Sequence, residues 1–175
     1  NHLMSALGPV FTTMPVTRPP VAVLYSLSHL LEKQARDRKL MYAHDDDHGR
    51  NLPFTYLAGK LIQHQFLTVV DEDVADGTLA AHHKGIILTS IDHLDPEVVS
   101  GLEAFASQGG LVLLTGDCEV RIAGAINLGV TPRLPDAEKV EKLRKEGKAR
   151  EAEPLMTLGK QIQGAMPLAK AIQER

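Results

Sequence analysis

Residues 85–117 read GIILTSIDHLDPEVVSGLEAFASQGGLVLLTGD, with a helical pattern between two apolar runs. The runs at 85–90 and 111–116 are short and rich in branched residues, which is typical of strands covered on both faces. Between them, Asp95 and Pro96 have the residue types of a helix N-cap and first turn, and the helix is expected to stop at a Gly-Gly pair. The stretch therefore predicts a parallel strand–helix–strand unit.

Three more segments extend this unit. Apolar runs at 21–26 and 66–70 predict two further buried strands, and residues 52–65 predict a helix with Pro53 in its first turn. The link at 71–84 fits either a short helix or a crossing loop. Together the segments predict an α/β fold: a doubly wound, mostly parallel sheet of flavodoxin-like strand order 2-1-3-4, with helices on both faces.

The regions on either side of the sheet differ in composition. Residues 1–20 hold four prolines and no apolar period, so we expect a Pro-rich arm or linker before an α/β domain at 21–131. Residues 132–175 form a charged and then amphipathic helical tail, in which Pro167 should kink or end the last helix. That helix is expected to dock on its own domain or a neighbouring one rather than form a self-associating coil.

Composition limits the possible functions. The chain of 175 residues has 19 Lys and Arg against 22 Asp and Glu, which disfavours nucleic acid and anionic membranes as partners. Its aromatic content of 4% disfavours a carbohydrate-binding surface. No apolar run approaches the roughly 20 residues of a membrane span, and the first residues lack the pattern of a signal peptide. We therefore expect a soluble chain of unknown compartment. Because it begins with Asn1 and not with Met, we expect it to be a piece of a longer protein or to carry residues added at its start.

A binding site is expected at the carboxyl ends of the strands, where open parallel sheets hold their ligands. Polar side chains follow the first, third and fourth strands, and flavodoxin-like order would place those three loops on one rim. The candidate ligand-binding residues are Ser26, Asp92, His93, Asp117, Glu119 and Arg121.

The insert after the first strand contains AHDDDHGR at residues 43–50, which raises the possibility of a divalent metal site. The candidate ligands are His44, Asp45, Asp47 and His48. Three consecutive aspartates oppose a helix, and in a loop the spacing of two histidines carries no geometric information. An acidic loop is therefore favoured, and a metal site requires the loop to fold over the rim toward Asp92, His93 and Asp117.

The order of these segments, with the helix that ends in SQGG and leads into LVLLTG, resembles the class I glutamine amidotransferase-like fold over residues 21–130. The nearest likeness is to the non-catalytic domain that family 42 β-galactosidases and related hydrolases use for trimerisation. Amidases of the wider family place a cysteine at a tight elbow after this same strand, in a Gly-x-Cys-x-Gly pattern. A downstream histidine and glutamate complete their triad.

The amidase motif is incomplete here. Gly116 and Cys118 match it, but Val120 replaces the glycine that lets the elbow turn sharply. The last histidine of the chain is His93, so none follows the cysteine, and Glu119 should raise the pKa of the thiol. Cys118 and His93 remain catalytic candidates only if His93 or His44 approaches the thiol from another strand end.

The resemblance therefore implies a non-catalytic structural or oligomerisation domain of a larger, glycoside-hydrolase-related protein. Its expected partners are other domains of the parent polypeptide and further copies of itself. Glycine-rich phosphate loops are absent, so no nucleotide cofactor is expected, and a divalent metal is the one cofactor left open. The alternative function is a metal-dependent hydrolase or a binder of a small polar ligand at the carboxyl-end rim. The sequence leaves open whether the protein is an enzyme.

Overall fold

The computed structural model describes residues 18–38 and 46–175. Within these residues, five strands form one all-parallel sheet in the order β2-β1-β3-β4-β5. The predicted fold class and the 2-1-3-4 order are confirmed, and a short fifth strand extends the sheet. The strands are β1 (Val21–Tyr25), β2 (Phe66–Val70), β3 (Gly85–Leu88), β4 (Leu111–Leu114) and β5 (Ile126–Asn127).

Helices cover both faces of the sheet, as predicted. The helical segments are α1 (Leu27–Asp37), α2 (Asp47–Leu61), α3 (Asp71–Ala75), α4 (Thr78–His82), α5 (Pro96–Ser107), α6 (Ala137–Lys145), α7 (Ala149–Ala152), a 3-10 turn (Glu153–Leu155) and α8 (Leu158–Gln173). None of these helices is long and apolar enough to span a membrane.

Alternate residues of each buried strand supply two cores. On one face, Leu24 and Ile86 pack with α3, α4 and α5 through residues such as Leu102. On the other face, Val23 and Ile87 pack against α2 and α8. Because successive side chains of a strand point to opposite faces, strands buried on both sides must be apolar throughout, and this composition made them recognisable.

The helix predicted at 52–65 lies at 47–61, so its predicted start was wrong. Asp46 has the extended backbone of an N-cap residue, with φ −108° and ψ 152°, and Asp47 is the first helical residue. Carboxylates at this end are favoured by the helix dipole, so the acidic stretch starts the helix instead of opposing it. Pro53 consequently lies inside the helix rather than in its first turn.

The link between β2 and β3 contains two short helices, α3 and α4, separated by Gly77. Gly77 has φ +83°, a left-handed conformation that suits glycine because it has no Cβ. Val74 of α3 and Leu79 of α4 are almost fully buried in the core beside α5. The link therefore covers one face of the sheet, and a short helix was the better of the two alternatives.

The last helix, α8, packs against α2 of the same chain. Its seam residues Ala165, Leu168 and Ala169 are buried together with Ala58 of α2. Gly164 lies so close to the carbonyl oxygen of Arg133 that a Cβ there would collide with it. Of the two effects expected of Pro167, an end of the helix is not found, because α8 continues through this residue. The interpretation of this seam as a docking surface for its own domain is thus supported by direct contacts.

Candidate functional site

The polar rim begins at Ser26, the residue that follows β1. Its hydroxyl accepts a hydrogen bond from the His29 backbone N–H at 3.1 Å and so caps α1. Asp71, at the start of α3, accepts the Ser28 N–H through Oδ2 at 2.8 Å. The other carboxylate oxygen of Asp71 is buried and has no hydrogen-bond partner among the described residues. This capping fixes α1 above the rim and directs His29 inward.

His29 lies between two carboxylates. Its Nε2–H donates to Asp46 Oδ2 at 2.8 Å, and both side chains are 1% exposed. On the other side of the ring, Nδ1 is 3.3 Å from the Asp92 backbone N and 3.0 Å from Asp92 Oδ1. A neutral ring accepts the amide hydrogen at Nδ1, whereas a protonated ring forms an ion pair with Oδ1. In both states the imidazole joins α1 to two loops.

Two cations of α1 complete this cluster. Lys33 Nζ lies 2.6 Å from Asp46 Oδ1, and an Arg36 guanidinium nitrogen lies 2.7 Å from Asp92 Oδ2. Burial by itself would raise the pKa of Asp46, but the hydrogen bonds from His29 and Lys33 outweigh it and hold that pKa far below its usual range. For Asp92, the hydrogen bond from Arg36 likewise outweighs burial and lowers the pKa. Both carboxylates are therefore held ionised.

His48 is fully buried and has a different set of partners. The Ser26 backbone N–H donates to its Nε2 at 3.2 Å, so the ring proton lies on Nδ1, which donates to the Thr89 carbonyl oxygen at 2.7 Å. Burial lowers the pKa of His48, and the neighbouring His29 lowers it further, against the opposing effect of the Thr89 hydrogen bond. Both ring nitrogens are occupied, so this imidazole is a neutral link between β1, α2 and β3.

Asp117 anchors the rim beyond β4. Its two oxygens accept hydrogen bonds from the Ser90 and Thr115 hydroxyls, each at 2.6 Å. The Asn51 amide donates to the Ser90 Oγ at 2.9 Å. Ser90 has φ +53°, an uncommon backbone conformation for a residue other than glycine, and it is held there by these contacts and by a hydrogen bond from its N–H to Thr115.

The Cys118 thiol is enclosed by the main chain of neighbouring strands. It donates to the Leu88 carbonyl oxygen at 3.3 Å and lies 3.5 Å from both Ile91 N and Thr115 Oγ1. Burial raises the pKa of this thiol, with a smaller contribution from the Asp117 carboxylate. In the described part of the chain no imidazole is bonded to the sulfur. The pKa of this thiol is thus raised rather than lowered as nucleophilic cysteines need, and the described residues supply it with no base.

The remaining candidates lie apart from this network. His93 is 39% exposed and its Nε2 lies 3.7 Å from Asp95 Oδ1. Glu119 and Arg121 are exposed. His44 and Asp45 lie outside the described residues.

The described part of the AHDDDHGR stretch, residues 46–50, begins α2, so this part is not the solvated loop that we expected. Asp47 is 63% exposed and pairs with Arg50, whereas His48, on the same turn of α2, points into the core. Asp46, which the sequence did not single out by itself, is the buried acid. Over residues 18–38 and 46–175, no group of three His, Cys, Asp or Glu side chains is placed to hold a metal ion.

Comparisons with protein-family models, with curated proteins and with solved structures find no match to this chain. The geometry is therefore the basis for assigning a function. The rim does bring Ser26, His48, Asp92 and Asp117 to one edge of the sheet, as expected from the strand order. Their polar atoms are largely used in hydrogen bonds to one another and to the main chain, which makes the rim a structural network.

Proposed function

We propose that this chain is a non-catalytic structural and assembly module of a larger, glycoside-hydrolase-related protein. The observation that carries the proposal is the orientation of α1. His29, Lys33 and Arg36 form one stripe that binds Asp46 and Asp92 of the rim. Successive residues of an α-helix are about 100° apart around its axis. Leu27 and Leu31 therefore lie on the opposite side of α1, roughly 180° from this stripe.

The outward leucines have the exposure of contact residues. Leu27 is 42% exposed and Leu31 is 63% exposed, on a helix whose one buried residue is His29. A surface helix of a soluble domain normally shows the reverse arrangement, with apolar residues against the core. An inverted helix leaves apolar area in water unless a partner covers it, and this favours a contact surface.

A second copy of the chain is the partner that fits this face. Ala35 lies one turn beyond Leu31 and is exposed. If two α1 helices paired antiparallel about Leu31, Leu27 of each copy would lie opposite the small side chain of Ala35 in the other. One helix pair gives a small interface, so association should depend on concentration and be strengthened by other parts of the parent protein.

The surroundings of the Cys118 thiol support the proposal that the module is non-catalytic. In the amidases that the sequence resembles, this position holds the nucleophile, whereas here the partly buried thiol has a raised pKa and is bonded to the main chain. The metal-dependent alternative has no supporting ligand cluster in the described residues. Folding stability is the role that fits a rim whose polar groups are largely hydrogen-bonded to one another and to the main chain.

Light scattering over a wide range of protein concentration tests the assembly. We expect the mass of the native chain to rise with concentration and the Leu31→Glu variant to remain monomeric, because it places a charge in the apolar contact. Leu158→Glu is the matched control, since Leu158 is 66% exposed at the start of α8, away from α1. The proposal would be contradicted if the native chain stayed monomeric at every concentration. It would also be contradicted if Leu31→Glu and Leu158→Glu weakened association equally.

A further inference from the structure

A cleft of about 750 Å³ opens beside the rim, between α2 and α6. Asp117, which follows β4, lies at one end of it, and the segment around Arg133 forms one wall. This volume is within the usual range for small-molecule sites, and the cleft lies at the carboxyl ends of the strands, where parallel sheets bind ligands. A smaller depression of about 290 Å³ nearby is formed by residues 133–139 alone. The larger cleft draws on several elements and is the better candidate.

Acids and arginines both line the cleft, and two of its three arginines have no carboxylate partner within the described residues. Arg50 is neutralised by Asp47 at 2.7 Å and by Glu141 at 3.6 Å. Arg133 has no ion pair within the described residues, and Arg144 contacts the sulfur of Met156 at 3.3 Å rather than a carboxylate. A guanidinium that lacks an acid is suited to a planar oxyanion, to which it can donate two parallel hydrogen bonds.

The remaining lining limits the charge of such a ligand. Glu138 also lines the cleft and has no cation partner in the part of the chain that the structure describes. A second negative charge on the ligand would face this carboxylate and would be repelled. A singly charged carboxylate therefore fits the cleft better than a phosphate dianion.

Neutral groups of the cleft define the rest of the ligand. The Thr131 hydroxyl and the Asn51 carbonyl oxygen make no hydrogen bonds within the described residues, and both line the cleft. Phe54 and Met156 provide an apolar wall. Hydroxyl groups on a carbon skeleton would satisfy both kinds of surface.

We propose that this cleft binds a hydroxylated monocarboxylate, with Arg133 and Arg144 holding the carboxylate and Thr131 and Asn51 contacting hydroxyl groups. The site is separate from the α1 contact surface, since no described residue of α1 lines the cleft. Binding here requires neither a metal nor the Cys118 thiol. The site would add ligand recognition to a module that performs no chemistry.

Isothermal titration calorimetry of the full chain with D-glucuronate and D-gluconate tests the proposal, with D-glucose and inorganic phosphate as comparison ligands. We expect at least one carboxylate to bind, and Arg133→Gln and Arg144→Gln each to weaken its binding about 10- to 100-fold, the usual effect of losing a charged hydrogen bond. Arg121→Gln is the control, because Arg121 is exposed and does not line the cleft. Thermal unfolding of each variant checks that it is folded.

Several outcomes would overturn the proposal. One is no binding of either carboxylate at about 10 mM, a concentration that detects millimolar affinity. Binding of glucose or phosphate as tight as that of the carboxylates would show that carboxylate recognition is wrong. If Arg121→Gln and Arg133→Gln lost affinity equally, the ligand would not be bound in the cleft. Binding lost only in the two cleft variants supports it.

Discussion

His29 and His48 lie edge to face, with ring centroids 5.4 Å apart and planes inclined at 70°. Despite this contact, their environments differ: His29 faces the carboxylates of Asp46 and Asp92, whereas both nitrogens of His48 bind main-chain groups. Two adjacent imidazoles therefore have separate structural tasks. One binds the acidic loops to α1, and the other joins strands β1 and β3 to α2.

The lowered pKa of His48 predicts a loss of stability in acid. As pH falls below about 6.5, the unfolded chain gains a proton at this position before the folded chain does, so the free energy of unfolding decreases. His48→Gln removes the titrating group and should flatten this dependence below pH 6.5. Urea unfolding of both proteins from about pH 7.5 to 5.5 measures it. The same slope in both proteins would be evidence against a buried neutral His48.

Asp46 should be among the most sensitive polar positions of the fold. Asp46→Asn removes the charge that pairs with His29 and Lys33, and loss of one partner from a buried ion pair costs about 3 kcal/mol or more. Asp47→Asn, at the next residue, breaks an exposed pair with Arg50 and should cost less than about 1 kcal/mol. Chemical denaturation measures both. Similar values for the two variants would mean that Asp46 is not buried as described.

Two glycines of α8 should respond in opposite ways to the same substitution. Gly164→Ala places a methyl group against the Arg133 carbonyl oxygen, and overpacking of this kind costs about 1–3 kcal/mol. Gly159→Ala meets nothing within 4 Å and should stabilise the helix by up to about 1 kcal/mol. Thermal unfolding compares them. A neutral or stabilising Gly164→Ala would show that α8 is not packed closely against the segment at Arg133.

The strands of the sheet could be predicted from the sequence because the apolar pattern that identifies each strand lies within a few consecutive residues. Residues 85–117 fold as β3, α5 and β4, within two residues of the predicted bounds at each strand end. Strands buried on both faces are apolar throughout, and the Asp-Pro start and Gly-Gly end of α5 mark its limits. β5 has only two residues, Ile126 and Asn127, which is too short for any periodic pattern.

The first part of the rim could not be predicted for a different reason. Helix α1 points His29 and Lys33 inward and Leu31 outward, so its hydrophobic pattern does not identify its buried face. Asp46 and His48 are buried because partners from α1, β1 and β3 reach them, and sequence spacing does not reveal such long-range pairing. The signal that could have located the start of α1 is Ser26, the last residue of the predicted strand at 21–26 and a good N-cap residue.

The most direct test of the account is the reactivity of Cys118, the one cysteine of the chain, which follows β4. Iodoacetamide labelling of the native chain at about pH 6.5, followed by mass spectrometry, should leave this thiol unmodified, because burial raises its pKa and no imidazole of the described residues is bonded to it. Labelling in urea is the control and should be complete. Rapid stoichiometric modification of the folded chain would show an activated thiolate and would contradict the assignment of a non-catalytic module.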